Sequence, residues 1–326
     1  MKIIKFLCCS AILALPYFIS FVSVAEQQPH WLAPLQQTIQ QHYVHQHKTE
    51  EINRRLTLQF PTNLTSKNGK FIKNLAISLR EISGDNNFDI QPTTEQFVLE
   101  SSNNAQQDFS LGHQQIIQAK QGIEDIHYLE NDIGYLKVSH IYNNAEAQQR
   151  IINLFDSIKR VDAFILDLTD TQGDSMAVAH SLLNFFFEQE KTIARLSFAQ
   201  AEQSIELKVL ANNTQWQRNV DNTLKMPVYV LTSAFTSGTA ELIAFSLQYF
   251  DKALVIGKPT MGNTFITQQF NVNNQLIVTM PIAQYSVDKN NVNWQGSGVI
   301  PDIDAEQNNT KNTAIDTVLE FLLPNK

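Results

Sequence analysis

Beyond residue 25 the chain has no cysteine: Cys8 and Cys9 are its only two, and both fall in the first 25 residues. Once that stretch is removed, disulfides, thiolate metal sites and a cysteine nucleophile are excluded, and the core alone must hold the fold. About 300 residues suffice for that, as one large domain or two smaller ones. Basic charge is also scarce. Of 24 Lys and Arg, Lys2 and Lys5 precede residue 25, which leaves 22 against 32 Asp and Glu, a net charge of −10. A nucleic-acid partner is therefore not expected, because no basic patch exists to replace phosphate counterions. After residue 25 no apolar run approaches the length of a membrane span. A phosphate loop, a dinucleotide glycine fingerprint and a His-Glu-x-x-His zinc motif are all missing.

What is present starts with the leader. Lys2 and Lys5 make a positive start, residues 6–24 carry no charge, and Ser23 and Ala25 put small side chains where a signal peptidase reads. Residues 1–25 thus read as a secretory signal peptide, with Pro16 breaking the run that an uncleaved anchor would need. Cys8 and Cys9 come too early for a lipoprotein. The expectation is export across an inner membrane to the periplasm, with no membrane attachment after cleavage.

Hydrophobic spacing then predicts helices over residues 31–58 and 71–82, closed by Pro61 and by Ser83-Gly84-Asp85. Residues 86–120 are polar and weakly patterned. From Gly122 the order becomes strand (133–138), helix (145–159), strand (163–168), helix (176–187), strand (227–231), helix (239–250) and strand (253–257). Residues 264–285 alternate like antiparallel strands. Strands alternating with helices imply an α/β layer with right-handed crossovers. The composition shift suggests an N-terminal helical domain over 26–120 and an α/β domain over 121–326.

Open α/β sheets place ligands at loops that leave the C-terminal ends of their strands. Three such loops, 169–175, 232–240 and 258–264, are rich in Gly, Ser, Thr and Asp. The plain alternative is ordinary turns, with Thr236, Ser237 or Thr239 capping the next helix.

The residues in these segments resemble a known family. Gly134-Tyr135-Leu136, Ile165-Leu166-Asp167-Leu168, the run from Pro227 to Ser233 leading into Thr236 and Glu241, Pro259-Thr260-Met261-Gly262, and the segment from Trp294 to Ile303 occur in order. Together they resemble peptidase family S41, the tail-specific or C-terminal processing proteases. Glu81-Ile82-Ser83-Gly84-Asp85 adds a likeness to the branch that includes the interphotoreceptor retinoid-binding protein repeats, which lacks a PDZ domain. The resemblance implies a crotonase-like α/β core behind an N-terminal helical domain. It also implies a serine peptidase with a Ser nucleophile, a Lys general base and a backbone oxyanion hole. A polypeptide substrate or peptide ligand is implied, with no cofactor and no metal.

Residue by residue, this chain departs from that pattern. The family's nucleophile loop runs Thr, any residue, Ser, two small residues, Glu. With Thr236 and Glu241 in register, the nucleophile position holds Gly238, and Ser237 stands one residue early. That offset turns a side chain by about 100° at a helix start. The family's Lys position holds Asn263, which cannot act as a base, and Lys258 lies five residues before it. In the first loop only Gly173 survives as an oxyanion-loop glycine, with Gly238 and Thr239 as the other backbone candidates. Asp174 would oppose developing negative charge. Two readings follow. In one, the chain is a peptidase using Ser237 in a rearranged loop, with His180 or a Lys as base. In the other, it is a non-catalytic pseudo-peptidase that holds an extended peptide or an apolar ligand.

His42, His45 and His47 sit close together on the expected first helix; His42 and His45, i and i+3, could both ligate a metal, but no Glu or third ligand is placed to complete a zinc site, so a solvated helical face is expected. His140 lies near the sheet layer. Asp302 is expected to close the sheet.

Overall fold

The computed structural model describes residues 29–60, 69–93, 120–199, 204–210, 226–273, 275–287, 290–306 and 309–322. The predicted signal peptide lies outside them. Among the described residues, no helix is long and apolar enough to cross a membrane.

Three helices come first: α1 (Leu32–His42), α2 (Gln46–Gln59) and α3 (Gly69–Ser83). The continuous helix expected over 31–58 is broken at residues 43–45. Tyr43 turns to an extended conformation (ψ 129°), and the Val44 amide donates to Pro281 O at 3.0 Å. The buried Tyr43 hydroxyl donates to Asp85 Oδ2 at 3.0 Å. Two long-range bonds therefore override local helix propensity, which is worth only tenths of a kcal/mol per residue, roughly 0.7 at most for ordinary side chains. Leu32, Leu35 and Ile39 of α1, Ile52 and Leu56 of α2, and Phe71, Leu75 and Leu79 of α3 form one apolar face. Trp31, fully buried, packs edge-on against Phe60 and Phe71.

That face does not close on itself. It packs on Leu276, Val278 and Met280 of β12 (Leu276–Ser286), and on Ile90 of β1 (Asp89–Pro92). β12 is the spine of a five-stranded sheet. It pairs antiparallel with β11 (Phe265–Asn271) along one side, and with β1 and β7 (Lys191–Phe198) along the other. β8 (Ile205–Val209) extends the sheet beyond β7.

The second sheet has the order β13-β10-β9-β5-β3-β2. Its members are β2 (His127–Leu129), β3 (Ile133–Lys137), β5 (Ala163–Asp167), β9 (Val228–Thr232), β10 (Leu254–Gly257) and β13 (Ile303–Asp304). All neighbours are parallel except the β2–β3 pair. A small parallel ribbon joins β4 (His140–Ile141) to β6 (Gln172–Gly173). β5 is buried at every position because both faces are covered. Phe164 and Leu166 meet α4 (Ala145–Asp156), α5 (Met176–Leu183) and α6 (Thr239–Tyr249), whereas Ala163 and Ile165 meet α7 (Thr310–Leu322) through Ala314 and Val318. The chain is thus a mixed α/β fold in which three strand ends, those of β5, β9 and β10, converge on one edge.

Candidate active site

The three loops at that edge are laced together by their hydroxyls. Thr236 Oγ1 donates to Leu168 O at 2.7 Å and accepts from the Ser233 amide at 3.0 Å. Ser233 Oγ donates to Thr169 O. The Ser237 amide donates to Thr171 O at 3.0 Å, and the Met261 amide to Thr236 O at 3.1 Å. Thr236 and Ser233 are fully buried, so these bonds satisfy groups that water cannot reach. None of the three hydroxyls caps α6. Its N-cap is Gly238, which has no side chain to offer, and Thr239 Oγ1 instead donates to Gly173 O at 3.2 Å.

Glu241 does what those hydroxyls do not. It is the one charged residue in α6 and is fully buried. Its Oε1 accepts from Thr260 Oγ1 and from the Gly262 amide, both at 2.6 Å, and its Oε2 accepts from the Asn263 amide at 3.2 Å. Burial pushes its pKa up, and the donors from Thr260, Gly262, Asn263 and Gly238 pull it back. One carboxylate therefore pins the third loop to the start of α6. In the sequence Glu241 served only to set register; a lone acid between Ala240 and Leu242 on an apolar helix was the signal of its structural role.

Gly238 has φ +67° and ψ −132°, a conformation open to glycine. A Cβ there would overlap the carbonyl oxygen of Gly173, far inside van der Waals contact. Gly173 itself has φ +133°, and a Cβ on it would overlap Ile141 O across the β4–β6 ribbon. The first loop thus turns the Gly173 carbonyl oxygen, an acceptor, toward residue 238.

The other expected residues are dispersed. Ser237 is half-buried, and among the described residues its hydroxyl has no recorded hydrogen bond. His180 Nε2 is hydrogen-bonded to Lys208 O of β8 at 2.6 Å, so α5 offers its imidazole to the neighbouring strand and not to Ser237. Lys258 Nζ is clamped by both Asp304 oxygens at 2.8 and 2.9 Å. Asn263 Oδ1 accepts from the Phe265 amide at 3.1 Å and closes a local turn. Asp302 brackets Val255, accepting its amide on Oδ2 at 2.7 Å and donating its own amide to Val255 O at 2.8 Å. Asp167 is buried and accepts from the Tyr135 hydroxyl, the Thr169 amide at 2.9 Å and Thr169 Oγ1 at 2.7 Å.

The three histidines do not share one solvated helical face: His47 is exposed on α2, whereas His42 and His45 pack on β11. The helix break places His42 on α1 and His45 ahead of α2. His42 stacks on Phe270 at 4.3 Å, and His45 meets Phe265 edge-on at 5.4 Å. No group of three or more potential metal ligands occurs among the described residues.

Together, three loops at the C-terminal ends of parallel strands, tied to one another by buried hydroxyls and Glu241, form the candidate site of an α/β scaffold. The profile of peptidase family S41 matches residues 132–305, more than half of the chain, and the chain belongs to that family. It is 19% identical over 177 residues to the carboxyl-terminal-processing protease of Synechocystis sp.. It is 24% identical over 174 residues to the chloroplastic carboxyl-terminal-processing peptidase 2 of Arabidopsis thaliana. These matches take in 54% and 52% of this chain but only 38% and 31% of the two relatives. The fold is shared more fully with two solved structures. A candidate peptidase from Parabacteroides merdae superposes with a TM-score of 0.63 at 14% identity, covering 89% of this chain and 96% of that one. A lipoprotein from Streptococcus agalactiae gives 0.54 at 14% identity, covering 88% and 94%.

Proposed function

We propose that this chain is an exported S41-family protein that holds extended polypeptide at the site described above without using the family's Ser–Lys chemistry. On this reading residues 1–25 are cleaved and the protein works in the periplasm. Its core is crotonase-like, its N-terminal region is the helical domain of the branch without a PDZ domain, and its α/β part starts near residue 121. The observation that carries the proposal is the Gly173 carbonyl beside Gly238. A nucleophile needs a side chain at position 238 and donors around the oxygen that becomes negative. On this reading the chain has no side chain at 238, turns the Gly173 carbonyl toward that position, and carries Asn263 where the base would stand. Removing a nucleophile alone costs several orders of magnitude in rate. Binding needs no nucleophile, because an extended chain can pair its backbone with an exposed strand edge.

The test uses the purified chain and its Ser237→Ala variant with unfolded protein substrates. Binding without cleavage in both is the expected result. Cleavage that disappears in Ser237→Ala would show instead a peptidase working from the offset serine.

A further inference from the structure

The edge of a sheet presents unpaired backbone donors and acceptors, and proteins guard such edges with charge, proline or shortness. Four outer strands among the described residues follow that rule. β13 has two residues, and its Asp304 holds Lys258. β2 has three. β1 ends at Pro92 and carries Asp89, paired with Arg80 at 2.8 Å. β8 carries Glu206 and Lys208, and the Lys208 carbonyl is already bonded to His180 Nε2. β11 breaks the rule. Its seven residues, Phe265 to Asn271, include no charge and no proline. β12 pairs with one side of it, and no strand among the described residues pairs with the other. Thr267, Gln268, Gln269 and Asn271 are exposed.

This unguarded strand is the direct continuation of the candidate site. The Gly262 and Asn263 amides donate to Glu241, and β11 begins just past them. Its entry is fixed by side chains. Thr264 donates its amide and its hydroxyl to Gln295 Oε1 at 2.9 and 2.8 Å, and Gln284 Nε2 donates to Thr264 Oγ1 at 3.1 Å. Further along, Ile266 packs on the α/β core and Phe270 on the helical one. β11 is therefore an ordered strand before anything binds. A preformed edge loses little freedom when a second chain pairs with it, so more of the pairing energy appears as affinity.

We infer that the bound polypeptide lies along the free edge of β11, as an extended strand that adds to the five-stranded sheet beside the third loop. The inference rests on the polypeptide-binding reading and names the surface and the kind of ligand. The edge offers peptide groups flanked by hydroxyl and amide side chains and has no charge of its own, so it recognises backbone. Its ligand is an unfolded segment whose own peptide groups are free. A folded domain, with its backbone already paired, is not a ligand.

The experiment uses the wild-type chain and a terminally blocked, unstructured peptide of alternating Val and Thr with lysines at its ends. A twin peptide carries N-methyl groups on consecutive central amides, which blocks both of its edges. The parent peptide should bind about tenfold or more tightly than the twin, the scale of one or two lost backbone hydrogen bonds. Amide hydrogen exchange should slow across residues 265–271 when the parent peptide binds, and stay unchanged across residues 205–209 of β8 and 127–129 of β2. Binding that leaves exchange across 265–271 unchanged overturns the inference and leaves polypeptide binding standing. Equal binding of the two peptides does the same. Protection of 265–271 that rises with protein concentration in the absence of peptide would assign the edge to a second copy of the chain, and so also overturns it. Failure to bind either peptide overturns the polypeptide-binding reading and this inference with it.

Discussion

The carbonyl oxygen of Gly173 occupies the space into which any side chain on Gly238 would grow. Restoring the family's residues at 238 and 263 therefore means displacing a backbone that the β4–β6 ribbon and Thr239 hold in place. The double variant Gly238→Ser with Asn263→Lys should show no hydrolysis of unfolded substrates. Stability gives a sharper reading. Gly238→Ala should cost about 3 kcal/mol, from left-handed strain plus overlap with a fixed carbonyl. Gly296→Ala is the control: its φ is +78°, but a Cβ there meets open space. It should cost only about 1–2 kcal/mol. Urea unfolding midpoints of the two variants check the order, and equal midpoints would show that Gly173 yields easily.

Glu241 is the group on which the third loop depends. Its replacement by Ala strands Thr260 Oγ1 and the Gly262 and Asn263 amides, all of which donate to it. The loss should be about 3–5 kcal/mol, the scale for breaking a buried charged network. Its pH dependence has a definite sign. Burial raises the folded pKa above the unfolded one. The stability this group contributes is then fully present below the unfolded pKa and is lost as pH rises through the folded value. Wild type minus Glu241→Gln, followed by denaturant titration from acid upward, should fall across that window. A difference that rises with pH would mean that the four donors outweigh burial.

His45 carries the opposite dependence. Burial, then Lys48, lower its pKa, Asp85 opposes them, and His47 lowers it further. A histidine whose folded pKa is depressed contributes stability above the unfolded pKa of roughly 6.5, which is lost as pH falls through the folded value. His45→Gln should flatten the stability profile below neutrality. The variant also loses the edge-on contact that the His45 ring makes with Phe265 of β11. Urea midpoints of wild type and variant from pH 7.5 to pH 5 check this; parallel profiles would assign the acid dependence elsewhere.

Most of the parallel sheet was legible in the sequence, because buried strands such as β5 and β9 leave unbroken apolar runs. The predicted strand over 163–168 and helix over 145–159 match the observed Ala163–Asp167 and Ala145–Asp156 within a few residues. β7 and β8 were not legible. Their side chains are mostly half-exposed, and β7 gains its place from pairing with β12, some eighty residues along the chain. Helix α7 hid for a related reason: Ala314 and Val318, its fully buried apolar residues among those whose burial is described, are set among Thr, Asn and Asp. At the site, Gly238 and Asn263 are residue identities that the sequence prints, but it does not print the direction of the Gly173 carbonyl. Backbone orientation in a glycine loop leaves no trace in residue types. Nor did His180 announce its partner, since Lys208 O belongs to a strand the pattern did not reveal.

The packing of the N-terminal helices leads to a last prediction. Composition places a boundary near residue 120, yet the apolar face of α1–α3 packs on Leu276, Val278 and Met280 of β12, all fully buried. A fragment of residues 121–326 would bare those three side chains together with Val272, just past the end of β11. Each large aliphatic side chain exposed forfeits about 1.5–3 kcal/mol of burial, so four of them approach the whole stability of an ordinary domain. The fragment should therefore aggregate or bind a hydrophobic dye. Adding residues 26–93 as a separate chain should restore solubility, because the helices and β1 supply the missing surface. Size-exclusion chromatography of the fragment alone and of the mixture checks this. A monodisperse, dye-silent fragment would show that the α/β part closes its own core.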